Sequence, residues 1–134
     1  MGVAATYAIL GGFPMLAIHT ENHSDLAVVE CKGRIVNSDS VFKLRDFVQA
    51  QAPARIIALD LSEIKAIGGA GLGMLAFLES WARHRNIHLK LFSPSKPVLE
   101  GLVQNRSILN FEIASFHEMM SLLADSDGEF AMAA

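Results

Sequence analysis

A chain of 134 residues is long enough for one domain of ordinary size. Its 51% apolar and 19% charged residues exclude a disordered chain, and a net charge of −3 with no Lys/Arg cluster leaves no electrostatic footprint for nucleic acid. One cysteine, Cys31, excludes an internal disulfide framework and suits a reducing compartment, so a cytoplasmic location is expected.

The stretch 3–18 is apolar but broken by Gly11, Gly12 and Pro14. It has no basic segment before the apolar part, so it does not read as a secretory signal, and it is too interrupted for a membrane span. Residues 1–13 are expected to be a flexible or partner-covered leader. Residues 15–20 and 26–32 read as two strands around a turn at 21–25, a hairpin that Gly33 ends. Asn37, Ser38 and Asp39 are helix-start residues, with Ser38 or Asp39 the expected cap. Val41, Leu44 and Val48 then recur at helical spacing, with Phe42 and Phe47 widening the face, up to Pro53. Residues 55–61 form a continuous apolar run, as in a strand covered on both faces. A helix is predicted over 71–85, apolar nearly all round in its first turns, and a strand over 87–92. Pro94 and Pro97 open a third helix with Val98, Leu99, Leu102 and Val103 inward. A short strand at 111–114 precedes Ser115-Phe116-His117-Glu118, a capping box that opens a last helix. Residues 125–134 read as a disordered tail. The predicted fold class is α/β: an N-terminal β-hairpin, then alternating helices and strands forming a mostly parallel central sheet with about four helices.

The most informative run is 60–73. A buried strand leads through small residues into a helix, and Ala66, Ile67, Gly68, Gly69, Ala70 and Gly71 contain no nucleophile, acid, base or hydroxyl. Small residues let another backbone come close, so the loop suits contact rather than chemistry.

Over residues 14–124 the chain resembles the STAS domain family, the bacterial anti-sigma factor antagonists and their relatives. Four places carry the resemblance. Gly33-Arg34-Ile35-Val36 stands where the family has Gly-x-Leu/Ile-Asp, and Ala58-Leu59-Asp60-Leu61-Ser62 is similar to its central strand end. Gly68-Gly69-Ala70-Gly71-Leu72-Gly73 stands for the usual Asp-Ser-Ser-Gly-Leu-Gly, and Phe92-Ser93-Pro94-Ser95-Lys96-Pro97-Val98 for the strand–helix joint. The resemblance implies a STAS fold and a non-enzymatic module for partner switching in signal transduction and sigma factor regulation. The partner would be a kinase-like anti-sigma factor or a stress-signalling scaffold protein. It implies no cofactor, contact with a membrane only through a partner, and leaves homo-oligomers open. In the family a loop serine is phosphorylated by the partner kinase. That position falls on Gly69, its aspartate neighbour on Gly68, the following serine on Ala70, and the aspartate of the earlier loop on Val36. The usual switch is therefore expected to be absent at this site, leaving the surface permanently competent or regulated through a partner; Ser38, Ser40 and Ser62 are nearby hydroxyls open to modification, but none occupies the matching position. The expected contact residues are Gly33, Arg34, Ile35, Val36, Asn37, Ser38, Ile67, Gly68, Gly69, Ala70, Gly71, Leu72, Gly73 and Phe77.

Other motifs carry less. Gly71-Leu72-Gly73-Met74-Leu75-Ala76 fits a dinucleotide fingerprint, but 62–67 separate it from the strand and no acid ends the next one. His84 and His88 are four apart across a predicted helix break, and His19, His23 and His117 show no carboxylate or cysteine at ligand spacing, so no metal is expected. Cys31 reads as a packed thiol, and Asp60 and Glu63 as caps of the following turn. Met74, Phe77 and Trp81 are either core or partner surface. Two other functions compete: an accessory subunit of a lipid or anion transporter, and a nucleotide or small-ligand sensor.

Overall fold

The computed structural model describes residues 4–6 and 15–126. In chain order these form β1 (Ala4–Thr6), β2 (Leu16–His23), β3 (Leu26–Ile35), α1 (Ser38–Gln49), β4 (Ile56–Ile67), α2 (Gly69–His84), β5 (His88–Phe92) and α3 (Lys96–Gln104). A 3-10 turn (Ile108–Asn110), β6 (Glu112–Ala114) and α4 (Phe116–Ser126) complete the order. The strands make one six-stranded sheet in strictly sequential order. β1–β2 and β2–β3 pair antiparallel; β3 through β6 are parallel.

That order dictates the layers. Right-handed crossovers that always step the same way deposit every crossover helix on one face of the sheet. Accordingly α1, α2 and α3 bury Leu44, Leu75, Leu78 and Leu102 against Ile18, Val29, Ile57, Leu59 and Leu91 in one cluster. Strand side chains alternate in direction, so Leu26, Ala58 and Ala114 point the other way. There they pack with Met119, Leu122 and Leu123 of α4.

Several boundaries differ from the sequence reading. β2 continues through His23, because His19, Glu21 and His23 occupy one face and only look turn-like when read as a polar run. β3 passes through Gly33 to Ile35; Gly33 has φ of +121°, and a Cβ there would collide with the Met15 carbonyl. β4 does not stop at 61. Its second half pairs with the end of β3, Gly33 against Ile64 and Ile35 against Ile67. Two register shifts, around Glu30/Lys32 and Gly33/Arg34, break the alternation that would have marked it as strand. The α1 cap is Asn37, not Ser38 or Asp39: its Oδ1 accepts from Ser40 N–H at 2.8 Å, and Ser40 Oγ accepts from Asn37 N–H at 3.2 Å. α2 begins at Gly69 rather than Gly71. The capping box before α4 forms as predicted, with Glu118 N–H donating to Ser115 Oγ at 3.0 Å. Ala4–Thr6 is a strand edge within the expected leader; the rest of 1–13, and 127–134 of the expected tail, lie outside the described residues. Among the described residues, no helix is long and apolar enough to cross a membrane.

Candidate partner-binding site

The parallel strands end together, so the β3–α1 and β4–α2 junctions lie side by side. Gly68 N–H donates to Ile35 C=O at 3.0 Å and ties one junction to the other. The two sets of expected contact residues, 33–38 and 67–73, are thus brought into one surface.

The glycines of that surface divide sharply. A Cβ at Gly71 would stand 2.7 Å from Ile67 Cγ1 and 2.9 Å from the Ile35 carbonyl oxygen. Gly71 is therefore the position where the first turn of α2 presses onto the ends of β3 and β4. Gly68, Gly69 and Gly73 have nothing within 4 Å of a Cβ. Packing demands no glycine at these three.

Of the expected contact residues, Arg34, Val36, Asn37, Ser38, Gly69, Ala70, Gly73 and Phe77 are exposed, and Gly33, Ile67, Gly68 and Leu72 are partly so. Two are not available: Ile35 is fully buried and Gly71 is closed beneath the helix, so both support the surface without belonging to it. Leu72 turns toward α3, where its methyl groups stand 2.9–3.0 Å from a Cβ built on Gly101. Large apolar side chains reach solvent at Val36 (46% exposed) and Phe77 (50%). The Met74–Phe77–Trp81 stripe is divided: Met74 and Trp81 pack against the core, Trp81 beneath the Arg85 guanidinium at 5.2 Å, and Phe77 stands out. Gly73 and Phe77 are one turn apart and share a face. The α2 N-terminus has no side-chain cap and no acid in its first turn.

The dinucleotide fingerprint does not form a loop. Gly71 and Gly73 lie inside α2 rather than in a loop between strand and helix. His84 ends α2, where Nδ1 bonds Ser80 C=O at 2.7 Å, while His88 starts β5 and faces Glu112 at 3.9 Å; they do not converge on one another's ligands. Asp60 Oδ1 accepts from Ser62 N–H at 2.9 Å, the local capping expected of it, and Glu63 pairs with Lys32 at 3.5 Å. Cys31 packs with the helix-side core, and burial, followed by the charges of Asp60 and Glu30, pushes its thiol far up.

A second constellation escaped the sequence reading. On the opposite face of the sheet, His19 Nε2 lies 3.2 Å and His23 Nε2 3.1 Å from the two oxygens of Glu21. Hydrogen bonds from His23 and then His19 hold Glu21 below the usual carboxylate range. Glu30 is opposite His19 and level with Asp60 of β4; partial burial first, then Asp60 and Glu21, raise its pKa. The statement that His19 and His23 lack a carboxylate at ligand spacing is corrected by the strand itself. The alternation His19-Thr20-Glu21-Asn22-His23 was the signal, legible once residues 19–23 are read with period two.

No protein-family model and no curated protein matches the sequence. Solved structures do match. An anti-sigma factor antagonist from Mycobacterium paratuberculosis aligns with a TM-score of 0.64 at 16% identity, covering 73% of this chain and 84% of its own. The anti-sigma factor antagonist SpoIIAA in its unphosphorylated form aligns with a TM-score of 0.65 at 13% identity, covering 81% and 97%. SLC26A9 aligns with a TM-score of 0.52 at 14% identity, over 98% of this chain but 26% of that one. The chain therefore has the α/β STAS fold of the anti-sigma factor antagonists, as its four sequence motifs led us to expect.

Proposed function

We propose that this chain is a non-catalytic protein-interaction module of the anti-sigma factor antagonist kind, docking a kinase-like anti-sigma factor or a signalling scaffold partner through the α2 entrance. The observation that carries this is the open space around Gly68, Gly69 and Gly73, with Val36 and Phe77 exposed beside them. Where no packing requires glycine, a smooth and hydroxyl-free surface lets a partner backbone approach closely. Aromatic and aliphatic anchors at its edge supply the binding energy. The uncapped amides of the first α2 turn favour a partner carboxylate. Residues 67–74 carry no hydroxyl, so the position of the family's loop serine takes no phosphate, and regulation falls to the partner or to a nearby serine such as the exposed Ser38.

The test is co-purification with the cognate partner, identified by crosslinking through the native surface. Gly73→Arg places bulk and charge in the contact, and its Cβ meets nothing within 4 Å, so binding is lost while the urea midpoint is retained. Binding that survives Gly73→Arg refutes the surface. Incubation with a partner kinase and ATP leaves residues 66–73 free of phosphate; a phosphopeptide from that stretch refutes the constitutive state. The fold match to part of the longer SLC26A9 chain is consistent with a second reading, an accessory subunit of a lipid or anion transporter. Recovery of a transporter ATPase instead of a kinase-like protein would decide for it.

A further inference from the structure

The open corner of the sheet, remote from the α2 entrance in function and facing, offers metal-binding chemistry that the docking role does not use. α4 packs on Leu26, Ala58 and Ala114, and the cluster it forms includes no described residue of β2. There a hollow of about 270 Å³ is lined by Ala17, His19, Glu30, Lys32, Asp60 and Glu63. His19 and Glu30 are directly opposed across the antiparallel β2–β3 pair. Ligand atoms of His19, Glu21 and Glu30 all lie within 4.8 Å of one another. Both neighbouring imidazoles already turn Nε2 toward Glu21, at 3.2 and 3.1 Å. Among the described residues, no lysine or arginine forms an ion pair with Glu21, Glu30 or Asp60. Lys32, which also lines the hollow, pairs with Glu63 instead, and the two hydrogen bonds to the Glu21 carboxylate come from imidazoles.

We propose that His19, Glu21 and Glu30 bind one divalent transition-metal ion of the zinc class, with His23 orienting the Glu21 carboxylate. A tetrahedral ion with bonds of about 2.0–2.2 Å holds its ligand atoms roughly 3.4 Å apart. His19 and Glu21 already stand near that spacing, and the exposed Glu30 side chain closes the remainder by a rotamer change. One imidazole nitrogen and two carboxylates suit zinc, cobalt or nickel; magnesium and calcium prefer oxygen-only sets. His19 coordinates through Nε2, the atom that already faces Glu21, and so carries its N–H on Nδ1 when the ion is bound. Three protein ligands leave a fourth position open to water or to a carboxylate from outside. The ion also clips β2 to β3 on the face opposite α1, α2 and α3.

The experiment uses the full chain without a purification tag, stripped with a chelator and titrated with Zn²⁺ by calorimetry and with Co²⁺ by visible absorption. One ion binds per chain, and Co²⁺ gives the d–d bands of a low-coordinate site. His19→Gln and Glu30→Gln each weaken binding by about 100-fold, and His23→Gln by about tenfold. His117→Gln, on α4, changes nothing. Circular dichroism confirms that the variants fold; Glu30→Gln is an exposed, near-isosteric change and keeps the test decisive. Failure to bind, unchanged affinity in His19→Gln or Glu30→Gln, loss in His117→Gln, or displacement by excess Mg²⁺ or Ca²⁺ each overturns the site.

Discussion

Gly71 and Gly73 sit two residues apart in one helix, and replacing each by alanine separates packing from propensity. Alanine in place of an interior helical glycine gains up to about 1 kcal/mol of helix propensity. At Gly73 nothing opposes that gain, because the new methyl meets open space. At Gly71 the methyl stands 2.7 Å from Ile67 Cγ1 and 2.9 Å from both Ile35 Cγ2 and the Ile35 carbonyl oxygen. Side chains can rotate aside, but the carbonyl belongs to a strand locked into the sheet, so α2 itself must lift. Overpacking of this kind costs about 1–3 kcal/mol. The propensity gain is common to both variants and cancels in their difference, which leaves about 1–3 kcal/mol in favour of Gly73→Ala. Urea unfolding reads this directly. With a slope of about 1–3 kcal/mol per molar, the two midpoints separate by roughly 1 M while the slopes stay equal. A Gly71→Ala variant as stable as Gly73→Ala would refute the close seating of α2 on the strand ends, and with it the geometry that displays Gly68, Gly69 and Gly73.

Asn37→Ala removes the α1 cap and lowers stability by about 1 kcal/mol, seen as a shifted urea midpoint; Asn37→Asp retains most of it. Cys31 is 3% exposed, so an aromatic disulfide reagent leaves the native thiol unlabelled at neutral pH and reacts fully in denaturant; rapid labelling of the folded chain would contradict the packing. Lys90 donates to Glu112 at 2.7 Å and holds that carboxyl below its ordinary value of 4.5. The folded form thus favours the ionised group, and its contribution is present above the unfolded pKa and lost as pH falls through the lowered one. Glu112 is more than half exposed, so Glu112→Gln removes less than about 1 kcal/mol of acid sensitivity, measured as urea midpoints below pH 4.5.

The elements with strong local chemistry were legible from residues alone. Ser115 and Glu118 announce a helix start by capping, Pro97 fits a first turn, and the run into Leu61 can only be a buried strand. What was hidden depends on partners distant in the chain. The second half of β4 looks like loop because bulges break its alternation, and only the facing end of β3 makes it strand. Gly71 and Gly73 are indistinguishable in the sequence; Ile35 and Ile67 make one obligatory and leave the other free. His19, Glu21 and His23 share a face by simple alternation, but Glu30 joins them through antiparallel register, which depends on where the hairpin turns. The motif order gave the contact surface as two stretches, 33–38 and 67–73 with Phe77, yet Ile35 and Gly71 had to be withdrawn from it once burial was known.

Strictly sequential strand order has a consequence for assembly. With every crossover helix stacked on one side, the module is two-sided like a coin, one side presenting the helix entrance and the other the His19–Glu21–His23 row of β2. The proposed docking surface and the proposed ion site thus share no residue, and each can be altered by substitution while the other is left intact.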